Sequence, residues 1–395
     1  MKIAIFTTFR KMPESYSLVN DVIDQIKTLK KYGHNVVFYA QTGCEGRGIE
    51  CEMKTLVPHF KLEKNVVNEK YKEILIKFIK DELSQYDVVI THDLMYLQSY
   101  ATHRAAIMES NIDTKWIHWA HSGNRDNLNI KMPHAKYIYM NYTDVSRWAK
   151  SIGLDVDDVR VVFNDKDPSL FFDWHDITKQ ISEKIDLFNR DIIQTYPLCS
   201  TRMDSKGLDH VIRVFGALKK LNNKVLLIVC NSNAKNASDK IKQKIELAKR
   251  HGLTEDEIFF TSTLSEETLR QVPRQVVRDL MLISNIFIFP TLSEVCSNVL
   301  LEASMCKQLL VLNKSFPALF DFGEEGKTCL GYPFGSVIKA DFSYRQLGEY
   351  GYLAKTIHQE LLSSKPLQQQ KKIMRITNLD SIYSNQLEVL LNEDY

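Results

Sequence analysis

The stretch PTLSEVCSNVLLEA, Pro290 to Ala303, governs how the second half of the chain is read. It follows the apolar run IFIF at 286–289, which has the length and the β-branched and aromatic content of a buried strand. Behind it, residues 298–305 read as a helix, with Ser297 placed to cap its start. A strand that passes through a loop into a helix is half of a parallel βαβ unit. The free backbone N–H groups at such a helix start can hold an anion or a hydroxyl. Glu294 falls in the loop and Glu302 just over one turn inside the helix. Two carboxylates so spaced can accept hydrogen bonds from hydroxyls on different parts of one ligand, although taken alone they also describe ordinary surface charge.

The same alternation extends in both directions. Strands are predicted at 3–8, 35–40, 87–91, 116–120, 137–140 and 159–163, with helices at 18–32, 69–84 and 144–151 between them. The turn-forming segment NDKDP, Asn164 to Pro168, interrupts the pattern. A second series then has strands at 192–198, 224–230, 257–261, 286–289 and 309–312, and helices at 206–221, 237–251, 274–284 and 298–305. The expected fold class is α/β: two Rossmann-like domains facing a central cleft, spanning 1–168 and 169–365, with C-terminal helices at 366–395. Doubly wound sheets bind ligands at the carboxyl ends of their strands.

Composition narrows the class. Of 395 residues, 44% are hydrophobic and 25% charged, and the net charge is +2. Extensive disorder and a global nucleic-acid-binding charge are thereby excluded, though a local basic face is not. No run reaches the roughly 18 apolar residues of a membrane span, so no integral membrane segment is expected. Seven cysteines with no C-x-x-C spacing suggest free thiols and a cytoplasmic setting. No metal-ligand spacing appears, Asp155, Asp157 and Asp158 reading as a polar turn, so neither metal nor cofactor is expected. P-loop and G-x-G-x-x-G fingerprints are absent.

A second motif, PLCSTRMDSKG at 197–207, also lies between a strand and a helix, the latter with Ser205 as a candidate cap. Arg202 and Lys206 bring two cations to a phosphate-friendly helix start, and Gly207 permits close backbone approach. Two cations and two hydroxyl-binding carboxylates at one sheet mouth describe a site for a sugar diphosphate.

The Arg-x-x-x-Lys-Gly turn followed by Glu-x7-Glu resembles the donor signature of the retaining group-1 glycosyltransferases (family 4-like) of the GT-B fold. That resemblance implies that Arg202 and Lys206 neutralise the donor diphosphate. It also implies that Glu302 binds the ribose, that Glu294 contacts the transferred sugar, and that the backbone of Val295, Cys296, Ser297 and Asn298 faces phosphates and sugar. YDVVITHD at 86–93, WIHWAHS at 116–122 and VVFNDKD at 161–167 are similar to further family segments. The resemblance therefore implies that His121 bonds the donor sugar and that the last helix returns to the first domain. The nucleotide-diphosphate sugar is the implied donor, and retention is implied to proceed by same-face attack, the leaving phosphate taking the acceptor's proton. A two-carboxylate glycosidase scheme using Glu294 and Glu302 explains neither the Arg-Lys pair nor the helix-start amides.

The chain departs from the family after its first strand, where TFRKMPES at 8–15 lacks the usual Gly-Gly pair and Arg10 or Lys11 is expected to face the acceptor or to be solvated. Lys307 also stands where the family often has glycine. His118 and Arg125 are further acceptor-side candidates, His118 on the opposite strand face from His121; Asp126 is considered with Arg125. Phrases at 118–123, 140–145 and 163–172 resemble glycosyltransferases of tailed bacteriophages, which makes a hydroxymethylated pyrimidine in double-stranded DNA the first acceptor expected, in a host cytoplasm. The lysine-rich stretch from Lys64 to Lys80 would supply phosphate contacts or be a solvated face. Alternatives are a glycan or lipid acceptor at a membrane surface, approached through the apolar residues of 71–83, and a non-catalytic sugar-nucleotide or DNA-binding protein.

Overall fold

The structure, a computed structural model, describes residues 1–13, 15–60, 63–121, 128–292, 294, 297–335 and 349–393. The chain forms two compact units: Met1–Asp167 with Ile376–Tyr395, and Pro168–Arg375.

In the first unit the chain runs β1 (Lys2–Phe6), α1 (Ser17–Lys31), β2 (Asn35–Gln41), β3 (Glu52–Val57), α2 (Glu69–Phe78), β4 (Val88–His92) and α3 (Ala101–Ser110). It continues through β5 (Lys115–Ala120), β6 (Ala135–Tyr139), α4 (Val145–Ile152) and β7 (Val159–Val161). The seven strands are parallel in the order β3-β2-β1-β4-β5-β6-β7, so the chain reverses its winding between β1 and β4. One face buries Phe6, Tyr39, Trp116 and Trp148, the other Ile5, Phe38 and Trp119. Burial on both faces explains why these strands read as near-continuous apolar runs.

In the second unit α5 (Pro168–Phe171) and α6 (Asp176–Lys184) lead into β8 (Ile192–Cys199), α7 (Leu208–Lys219), β9 (Val225–Ser232), α8 (Ser238–Arg250) and β10 (Ile258–Phe260). Then come α9 (Arg274–Ile283), β11 (Ile286–Phe289), α10 (Asn298–Met305), β12 (Leu309–Asn313), β13 (Cys329–Tyr332), α11 (Glu349–Ser363) and α12 (Lys365–Thr377). Two three-stranded parallel ladders, β10-β9-β8 and β11-β12-β13, lie side by side. Their seam is stitched partly by side chains. Gln194 on β8 donates to Ile288 O and accepts from Ile288 N, both at 3.0 Å, and Asn285 Oδ1 accepts from Ile193 N at 2.9 Å. Across the seam the order is that of a doubly wound sheet, with its switch point between β8 and β11. Both units are thus Rossmann-like.

The C-terminal segment, α13 (Leu379–Ile382) and α14 (Glu388–Asn392) with the turn between them, belongs to the first unit. Tyr383 stacks on Tyr32 with centroids 3.5 Å apart, and Ile382, Leu387, Leu390 and Leu391 join the core around Ile3 and Val22. The sequence boundary at 366 differs from the observed return at Ile376, because α12 still packs on the second unit: Met374 sits in the core around Trp174, and Lys371 Nζ donates to Ile283 O at 2.8 Å.

Candidate functional site

The carboxyl ends of β8 and β11 meet at the second unit's switch point, and there the structure joins the two motifs. Gly207 has φ +69°, and a Cβ on it would lie 2.7 Å from both Cγ and O of Pro290. Glycine therefore serves both the left-handed backbone and the close approach of one turn to the other. Leu292 N donates to Ser205 O at 3.0 Å, and the buried Tyr196 hydroxyl donates to Lys206 O. Burial first, and then the nearby Glu294 carboxylate, push the Tyr196 phenol up, so it stays a donor. Lys206 Nζ forms an ion pair with Glu294 and lies 5.4 Å from the centre of the Phe289 ring. Ser205 does not cap the helix as expected; its hydroxyl donates to Arg202 O at 3.2 Å, and Gly207 occupies the cap position of α7.

Ser297 caps α10, its hydroxyl accepting from Leu300 N at 3.3 Å, and Asn298 is exposed at the first helical position. Glu302 Oε1 accepts from Arg274 Nη2 at 2.9 Å and Nε at 3.2 Å. Arg274 is 85% exposed, and an ion pair so hydrated is weak and readily exchanged for ligand hydroxyls. The Arg202 guanidinium is exposed and has no side-chain partner among the described residues. Val295 and Cys296 lie outside the described residues. The arrangement offers one unengaged guanidinium, one ammonium held in place by a carboxylate and an aromatic face, and a capped helix start. Such a set can bind a diphosphate and adjoining hydroxyls.

The first unit has its own strand-end cluster beside its switch point. His121, just past β5, shares a 2.9 Å contact between its Nε2 and His92 Nδ1, and His92 Nε2 lies 3.1 Å from Gln25 Oε1. The His121 backbone N–H donates to Asp93 Oδ1 at 2.8 Å, while Asp21 Oδ2 stands 3.7 Å from His121 Nδ1. Burial lowers the His121 pKa, against the raising influence of Asp93 and then Asp21, so the ring is neutral at neutral pH. His118, named as an acceptor-side candidate, is fully buried. Its Nδ1 contacts Thr91 Oγ1 at 2.8 Å, its ring stacks on Trp116, and burial takes its pKa down to about 3. It is a core residue and presents nothing to a ligand. Arg10 and Lys11 are exposed on the loop after β1. Arg125 and Asp126 lie outside the described residues. Gln25 and Arg274 were not singled out in the sequence, and His92 was read only as the end of a family-like strand, with no role assigned. The usable signals were the i, i+4 spacing of Asp21 and Gln25 on α1 and the histidine that ends β4.

Two lysines of α2 are paired locally, Lys72 with Glu69 and Glu109 and Lys77 with Asp81, while Lys70 is exposed. The helix turns Leu75 and Phe78 into its own unit's core, as does Ile79 just after it. Among the described residues no helix is long and apolar enough to cross a membrane, and no group of three His, Cys, Asp or Glu could hold a metal ion.

Residues 194–332, from β8 to β13, match the family described as glycosyl transferases group 1. The matched residues lie wholly within the second unit. Among solved structures, the chain is similar to Anabaena HepE in complex with UDP-glucose, at 14% identity and TM-score 0.37 over 99% of each chain. It is similar to a glycosyltransferase from Rickettsia africae, at 14% identity and TM-score 0.37 over 100% of this chain and 99% of that one. A third likeness is to sucrose-phosphate synthase from Thermosynechococcus elongatus, at 16% identity and TM-score 0.34 over 99% and 98% of the two chains. No curated protein matches the sequence.

Proposed function

We propose that the protein is a retaining, metal-independent glycosyltransferase that moves a sugar from a nucleotide-diphosphate sugar to an acceptor hydroxyl. The observation that carries this reading is the meeting of the Arg202–Gly207 turn with the Pro290–Glu302 segment at the β8/β11 switch point, within the matched domain. In the proposed reaction the bond between the anomeric carbon and the phosphate oxygen breaks, and its electron pair remains on the diphosphate. Arg202 and Lys206 stabilise that charge. The acceptor oxygen bonds the anomeric carbon from the same face, and its proton passes to the leaving phosphate oxygen. Glu302 holds the ribose and Glu294 the transferred sugar, and His121 is proposed as a further sugar contact.

For the acceptor, a hydroxymethylated pyrimidine of bacteriophage DNA rests on the sequence phrases and on the exposed Arg10 and Lys11. Along 64–80, Lys72 and Lys77 pair with carboxylates, while Lys64, Lys70 and Lys80 are exposed. The test is incubation with a panel of nucleotide-diphosphate sugars and with hydroxymethylated DNA, followed by mass analysis of nucleosides and assignment of the product anomer. Transfer to the base with retained configuration, unaffected by a chelator, is expected. Transfer only to a glycan or lipid would overturn the DNA acceptor, and an inverted product would overturn retention.

A further inference from the structure

Around His121 the first unit holds a chain of three side chains whose hydrogen-bonding options leave one arrangement of protons. Gln25 Oε1 is an acceptor only, so the His92 nitrogen 3.1 Å from it, Nε2, carries that ring's proton. His92 is 4% exposed, its ring lies over Trp119 at 5.9 Å between centroids, and burial keeps it neutral. A neutral imidazole protonated at Nε2 has a bare Nδ1. The 2.9 Å contact between that Nδ1 and His121 Nε2 needs one proton, and His121 must supply it. A neutral His121 protonated at Nε2 is in turn bare at Nδ1.

Among the described residues no group takes a hydrogen bond from this nitrogen. Asp21 Oδ2, 3.7 Å away, is beyond hydrogen-bond reach. Its two oxygens are engaged by Asn164 Nδ2 at 2.9 Å and Lys166 Nζ at 2.7 Å. Asp93 is turned to the His121 backbone N–H. Burial, and to a smaller extent Lys166, oppose protonation of the ring, while the Asp93 and then the Asp21 carboxylates favour it.

We propose that Gln25 and His92 are positioning residues that dictate the tautomer of His121, so that its Nδ1 meets the ligand as a hydrogen-bond acceptor beside Asp21. The group this nitrogen recognises is a donor O–H, and it discriminates against a ligand that offers only an acceptor, such as a carbonyl or ether oxygen, at that point. The proposal deepens the reading of His121 as a sugar contact and rests on it.

The test uses the intact protein with ¹⁵N-labelled histidine. Long-range proton–nitrogen correlation should show both His121 and His92 protonated at Nε2 and bare at Nδ1. In Gln25→Met the acceptor is lost, so both rings should become tautomer mixtures and kcat should fall by roughly ten- to a hundredfold with little change in donor KM. His92→Asn keeps an acceptor where Nδ1 was and should preserve the His121 tautomer and most of kcat. A proton on His121 Nδ1 in the unaltered protein, or a Gln25→Met protein with unchanged spectra and turnover, would overturn the proposal. Absence of any sugar transfer by the unaltered protein would overturn the proposed function instead, while its spectrum still decides the tautomer.

Discussion

Lys206 and Glu294 pair with each other at the second unit's switch point, while Arg202 has no side-chain partner among the described residues. In the proposed reaction, losing Arg202 removes charge stabilisation at the leaving group while sparing the fold, since the side chain is exposed. Arg202→Ala is expected to lower kcat/KM by about 30- to 1000-fold, on the order of 2–4 kcal/mol, with an unchanged melting temperature. Steady-state kinetics beside a thermal melt checks this. The residue types could be singled out in the sequence because the ligand proposed for them, a sugar diphosphate, draws on a narrow chemistry. Partnerships were less legible: the Glu302–Arg274 pair joins residues 28 positions apart, and no spacing rule links them. His118 and His121 looked alike as histidines near a strand end; both faces of β5 are buried, and His121 is at the rim because it lies just past the strand's last residue.

Among elements, the apolar strands and amphipathic helices were legible from period alone, while β3, with the sequence EMKTLV, and α3, with ATHRAAIMES, were not. β3 is an edge strand and only Val57 is buried, so it lacks an apolar signature; the apolar residues of α3 barely favour one side. The seam between β8 and β11 was equally hidden, because a buried glutamine gives no sign that it replaces ladder hydrogen bonds. Gln194→Leu strands both backbone groups of Ile288 in the core and should destabilise the protein by about 2–4 kcal/mol, read by denaturant unfolding. Lys307, the departure from the family's glycine, ends α10 at φ +59°, with Lys307 N bonded to Ser304 O and Gln308 N to Ala303 O. A left-handed residue after a helix is the place glycine serves best. Lys307→Gly should therefore stabilise the protein by about 1 kcal/mol, visible as a raised unfolding midpoint.

For the molecule as a whole, the division into two doubly wound units followed from the turn at 164–168, and the return of the last residues to the first unit followed from the resemblance. Asp165, in that turn, makes one stability prediction. It is 6% exposed, its carboxylate accepts from the Thr28 hydroxyl at 2.5 Å, and burial raises its pKa to about 7. Unfolded aspartates ionise near 3.9, so between about pH 4 and 7 the folded state holds the proton more tightly and stability falls as pH rises. Against the parent protein, Asp165→Asn should gain stability across that window by up to about 1.4 kcal/mol per pH unit, and parallel curves would refute the assignment. The central claim is that the second unit grips a nucleotide-diphosphate sugar through Arg202, Lys206 and Glu302. Calorimetric titration of the intact protein with a panel of such donors, repeated on Arg202→Ala and Glu302→Ala, tests it most directly. Saturable binding of one donor, weakened at least tenfold by each substitution, on the order of 1.4 kcal/mol, is predicted. Binding of none, or binding that neither substitution alters, would contradict it.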